Sequence, residues 1–111
     1  MARRRMYFKW EIPTTVVNIV YSICADYDRR ERIIKYSSVT GAVLDRMVEL
    51  NAIVDNALED IEPGMRREII KDIAEGRGYN KSNCCVMMDK NSYYRRKRKL
   101  VHDIAATMSL I

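Results

Sequence analysis

A chain of 111 residues with 48% hydrophobic and 32% charged side chains is long enough for one domain with a modest core. It is too apolar to be a disordered chain. A formal net charge of +5 is compatible with a nucleic acid or an anionic membrane surface as partner. The three cysteines are an odd set with Cys84 and Cys85 adjacent, and the lone His102 completes no zinc-ligand spacing. Free thiols, no metal and no cofactor are therefore expected.

Residues 1–12 form a basic and aromatic arm. Arg3, Arg4 and Arg5 suit phosphate or minor-groove contacts. The other reading is a frayed terminus, with Phe8 and Trp10 anchored on the helices behind it, and for these aromatics it is preferred. Lys9 and Glu11 interrupt any secretory segment, and the nearly uncharged Ile12 to Ala25 is shorter than the ~20 apolar residues a spanning helix needs. A cytoplasmic protein with no membrane partner is expected.

Residues 13–75 read as supporting helices. Pro13 suits a first helical turn, and Val16, Val17, Ile19, Val20, Ile23 and Cys24 make a wide apolar stripe. No breaker follows, so this helix is expected to continue to Tyr36, with Asp28 and Arg32 paired across one turn. Asp26 and Asp28, two residues apart, lie on different faces and are no catalytic pair. Ser37 to Gly41 reads as a break with Ser38 or Thr40 as cap. The next helix is expected from about Gly41 to Ile61, with Val43, Met47, Leu50, Val54, Ala57 and Ile61 in a heptad-like seam.

That seam is expected to pack within the chain, although it can also pair across a homo-oligomer axis. Asp45, Glu49, Asp55, Glu59, Asp60 and Glu62 make the opposite side acidic, able to repel misplaced DNA, offset the basic helices or meet a basic partner. After Pro63-Gly64, the residues Met65, Ile69, Ile70, Ile73 and Ala74 predict a helix that stops at Gly76. Gly76-Arg77-Gly78 lacks the features of a phosphate loop and reads as a link.

Residues 79–111 are the expected helix-turn-helix region. Lys81 to Met87 can form a short helix and Met88-Asp89-Lys90 a turn. A helix capped by Asn91 or Ser92 then carries Tyr93, Tyr94 and five consecutive cations, Arg95 to Lys99. Leu100, Val101, Ile104, Ala105 and Met108 continue at helical spacing, so one face has a core to bind. At about 100° per residue the cations spread around most of the helix, and some must sit near the buried side with only their charged ends in water. Tyr79 is expected between the two helices, and either Tyr93 or Tyr94 should anchor the second.

The tail Ser92 to Val101, with Ile104-Ala105 and Leu110-Ile111, resembles the end of phage and prophage regulators of the RinA/ArpU type. The resemblance extends to Asp26-Tyr27-Asp28-Arg29-Arg30, to Leu50 through Glu59, and to Gly76-Arg77-Gly78-Tyr79. It implies a small all-helical activator of late phage genes that binds DNA through a helix-turn-helix similar to region 4 of sigma factors. RNA polymerase is the further partner it implies. Where many relatives have Ser-x-Arg-Thr before the paired tyrosines, this chain has Asp89-Lys90-Asn91-Ser92, which leaves the DNA sequence preference open.

The expectation is thus an all-α helical bundle with a C-terminal helix-turn-helix, binding double-stranded DNA. Asn91, Ser92, Tyr94, Arg95, Arg96 and Lys99 are the candidate contacts, with Lys81 and the arm arginines as further ones. Arginine can read guanine through a bidentate contact, and lysine supplies phosphate charge. No nucleophile has an evident base and orienting group, so no enzymatic activity is expected. Two other functions fit the same features. One is a protein-interaction module built on the basic helix and the acidic seam helix, and the other is a non-regulatory DNA-binding component of phage packaging.

Overall fold

The structure, a computed structural model, describes residues 12–111; the arm expectations for Arg3, Arg4, Arg5, Phe8 and Trp10 lie outside them. The described residues form α1 (Thr14–Ala25), α2 (Tyr27–Tyr36), α3 (Gly41–Leu58), α4 (Pro63–Glu75) and α5 (Lys90–Thr107). Two 3-10 turns, Tyr79–Lys81 and Asn83–Val86, lie between α4 and α5, and no strand occurs among these residues. α1 packs on α4 and α5, α3 packs on α5, and α2 lies along α3. Their core includes Val20, Val54, Ile69, Tyr93, Leu100 and Ile104.

α1 starts as its sequence suggests: Pro13 precedes Thr14, and the Pro13 carbonyl accepts from the Val17 N–H at 3.0 Å. Val17, Val20 and Cys24 face the core, whereas Ile19 is exposed and does not belong to the stripe. The expected continuous helix to Tyr36 is broken at Asp26, although no proline or glycine is there. Tertiary contacts account for the bend. Buried Arg30 donates through Nε to the Asn51 side chain of α3 and through Nη2 to the Ile23 carbonyl, both at 2.6 Å. Asp26, at the joint, accepts from both Nε and Nη2 of Arg29. The guanidinium of α2 thereby satisfies a carbonyl near the end of α1 across the break. Asp28 lies 3.7 Å from Arg67 of α4 and does not form the expected pair with Arg32.

α3 ends at Leu58, earlier than expected, because the chain turns through residues 59–62. Arg66 closes that turn by donating to the Ile61 carbonyl at 2.8 Å and the Glu59 carbonyl at 3.2 Å. The seam is buried only in part: Val54 is 0% exposed, but Val43 is 58% exposed. α4 begins at Pro63 and ends on Gly76, whose φ of 69° is left-handed. That geometry lets the Arg77 N–H reach the Asp72 carbonyl at 2.8 Å, satisfying a free end of the helix.

The expected short helix over Lys81–Met87 is replaced by the two 3-10 turns. Ser82 and Cys84 are buried while Asn83, Cys85, Val86 and Met87 are exposed, so this segment has too little apolar face to hold a full helix. α5 starts at Lys90 with Asp89 in the capping position, ahead of the Asn91 or Ser92 caps expected from sequence.

Candidate nucleic-acid interface

The start of α5 is positioned by aromatic and polar contacts to the segment before it. Tyr93 is fully buried, and its hydroxyl donates to Oδ2 of the equally buried Asp72 on α4 at 2.8 Å. Arg77 pairs with the other carboxylate oxygen at 3.2 Å. Burial, and next the hydrogen bond to Asp72, push the Tyr93 phenol up from its ordinary range. Tyr93 is therefore the anchor that the sequence left open between two tyrosines.

Tyr94 is half-buried, and its hydroxyl accepts from the Tyr79 N–H at 3.2 Å. A Cβ at Gly78 would stand 3.0 Å from that hydroxyl, so any other residue there would push the Tyr94 hydroxyl by a few tenths of an ångström. The Tyr79 ring packs edge-on against Tyr93 with centroids 5.5 Å apart, and its hydroxyl donates to the Met88 carbonyl at 2.7 Å. The turn and the first turn of α5 are thereby tied into one unit, with Tyr79 in a 3-10 turn packed on α5 where the sequence suggested a place between two helices.

The five cations divide by environment. Arg95 is exposed, and its guanidinium donates to the Ser92 hydroxyl at 3.2 Å. Lys97 turns inward: its ammonium lies 5.3 Å from the Tyr93 ring centroid and 5.8 Å from that of Tyr94. It also donates to the Arg77 carbonyl at 3.4 Å, and burial lowers its pKa. Arg98 is half-buried. Arg96 forms a two-pronged contact with Glu62, at 3.0 Å and 2.7 Å, while Lys99 meets Asp60 and Asp103 at 2.7 Å each. The Arg96 contact holds Glu62 below the usual carboxylate range.

Of the candidate contacts, Asn91, Arg95 and Lys81 are exposed and Ser92 is half-buried. Tyr94 is committed through its hydroxyl to the link, and Arg96 and Lys99 are held by acids of the turn after α3. The structure adds Lys90, exposed at the first position of α5. Among the described residues, no carboxylate lies within ion-pair distance of Lys81, Lys90 or Arg95. The Ser92 hydroxyl holds the nearby Asp89 carboxyl below its ordinary range, with smaller contributions from the Asp89 and Ser92 N–H groups and from Arg95.

Sequence reasoning missed Asp72, which sits three residues after Ile69 and beside Ile73. A carboxylate on an apolar stripe signals a buried partner, but not which one. Among the described residues no group of three or more His, Cys, Asp or Glu side chains could hold a metal ion. No helix among them is long and apolar enough to cross a membrane. No protein family, curated protein or solved structure matches this chain.

Proposed function

We propose that this chain is a sequence-specific double-stranded DNA-binding regulator that presents the N-terminal half of α5 to the duplex. The observation that carries the reading is the exposed pair Asn91 and Arg95, one helical turn apart on α5, while Tyr93 pins the opposite side of that helix. An Asn side chain suits the paired donor and acceptor of adenine, and an Arg fork suits guanine. Lys90 and Lys81 supply phosphate charge beside them. Two 3-10 turns stand where the first helix of a helix-turn-helix is expected, so the reading rests on α5 and not on that motif. The resemblance to phage late-gene activators supports a promoter as the target and RNA polymerase as the neighbour.

Selection from a random duplex library at near-physiological salt tests this reading. A reproducible motif is expected, with affinity that falls steeply as salt rises because bound phosphates release counterions. Changing Lys90 and Arg95 together to glutamate should abolish binding with helicity and melting nearly intact. Unchanged affinity in that variant removes α5 from the interface. Sequence-blind retention favours the packaging component.

A protein-interaction module is the second reading, favoured by exposed Val43 and Val48 on α3. No retention of any duplex at low salt selects it.

A further inference from the structure

Arg96 and Lys99 belong to the same cationic block as Arg95, yet each meets a carboxylate distant in sequence. The partners Glu62 and Asp60 lie in the turn that joins α3 to α4, and both pairs close at 2.7 Å. Glu62 engages Arg96 through two oxygens, as a phosphate would engage a guanidinium. Glu59 is exposed in the same turn. A duplex phosphate reaching Arg96 or Lys99 must displace these acids, then remain beside their negative charge. Among the described residues, Lys90 and Arg95 have no carboxylate within ion-pair distance to displace, although Asp89 lies nearby.

The exposed Lys99–Asp60 pair contributes little to stability, so fold maintenance alone does not explain it. Its larger effect is on an approaching polyanion, because repulsion acts over a Debye length of about 8 Å at physiological salt.

We infer that Asp60 and Glu62 are positioning residues that occupy two anion sites on α5 in place of DNA phosphates. They thereby confine the duplex to the N-terminal half of the helix. The inference rests on the DNA-binding reading and adds a register to it. A duplex shifted toward the C-terminal end of α5 meets the carboxylates and is rejected, so the two acids favour the correct site over unrelated DNA. Glu62 stays ionised below the ordinary carboxylate range because of Arg96, and Lys99 keeps its proton more firmly because of Asp103 and then Asp60.

The test uses the full chain with Glu62→Gln and Asp60→Asn together, binding the selected duplex and an unrelated duplex of equal length across a range of salt. Affinity for the unrelated duplex should rise about tenfold at low salt. Its log–log salt slope should steepen by about 0.9 for each phosphate newly engaged by Arg96 or Lys99. The preference for the selected duplex should fall. A control variant, Asp45→Asn with Glu49→Gln, makes the same change in net charge on the first half of α3 and should leave the slope unchanged.

Unaltered or weaker binding by the folded Asp60/Glu62 variant overturns the inference while leaving the DNA reading in place. An equal gain in the control also overturns it, by assigning the effect to net charge. Absence of binding by the unchanged chain to either duplex at low salt removes both together.

Discussion

α3 and α5 are both eighteen residues long, and both carry apolar side chains at three- and four-residue spacing. Their burial differs. α5 hides Tyr93, Leu100, Val101, Ile104 and Ala105, from its first turn to near its last. α3 hides nothing before Asn51, and its seam is 58% exposed at Val43 but 0% exposed at Val54. α1, α3 and the turns before α5 pack against that helix, whereas α2 lies along α3. The groove there is lined by Asp26, Arg29 and Arg30 opposite Val43, Met47 and Leu50. Apolar periodicity states which face of a helix can be buried. The lengths and directions of neighbouring elements decide how much of it is.

The largest expected effect breaks the seam in two. Val54→Asp places a charge in a fully buried site and should cost roughly 4 kcal/mol or more, enough to unfold much of the protein. Val43→Asp, on the same seam, should change stability by less than about 0.5 kcal/mol in denaturant titration. A severe loss at both positions, with melting that depends on protein concentration, would place a second copy of the chain on the first half of α3.

A smaller effect should come from the anchor of α5. Tyr93→Phe removes the donor to a fully buried Asp72 oxygen and should cost about 1–3 kcal/mol. The corresponding phenol against α3 is the half-buried Tyr27, which donates at 2.6 Å to the exposed Asp55. Tyr27→Phe should cost about 1 kcal/mol or less. Equal losses by thermal melting would mean that the two contacts are equally sheltered.

The most gradual effect is alkaline, and it is small until the pH passes well above 9. Cys24 is pushed by burial from 9.0 up to about 12, and burial also raises Tyr93 and Tyr27. Each group is kept neutral by the fold, so its contribution is complete below its unfolded pKa and is lost as pH rises through the folded value. For Cys24 the loss runs from about pH 9 to about pH 12. The melting temperature should be nearly level from pH 7 to 9 and then fall. Cys24→Ala should flatten the early part of that fall, and an unchanged profile would assign it to the phenols.

Much of the fold is legible because some signals are local. Pro13 and Pro63 sit where helices begin, and Gly76 adopts the left-handed turn that ends α4. The spacing of Val17, Val20 and Cys24 identifies the buried face of α1. The site is legible in outline only. Arg95 and Asn91 are exposed as their positions suggest, but Lys97 has the same charge and turns onto two tyrosine rings. Nothing in a run of five cations distinguishes the inward one without knowing where Tyr93 is buried.

By itself the sequence determined the all-helical character of the described residues, much of the buried face of α1, α4 and α5, and a basic block on the last helix. These follow from backbone propensity and side-chain spacing, which act over a few residues. The tertiary structure alone decided the bend at Asp26, the choice of Tyr93 over Tyr94, and the division of the basic block. Each depends on a partner distant in sequence: Asn51 for Arg30, Asp72 for Tyr93, and Glu62 and Asp60 for Arg96 and Lys99. The acidic residues were visible as a face able to offset the basic helices. Which cations they offset became visible only when packing brought the turn after α3 beside α5, because charge pairing needs contact and composition carries no distances.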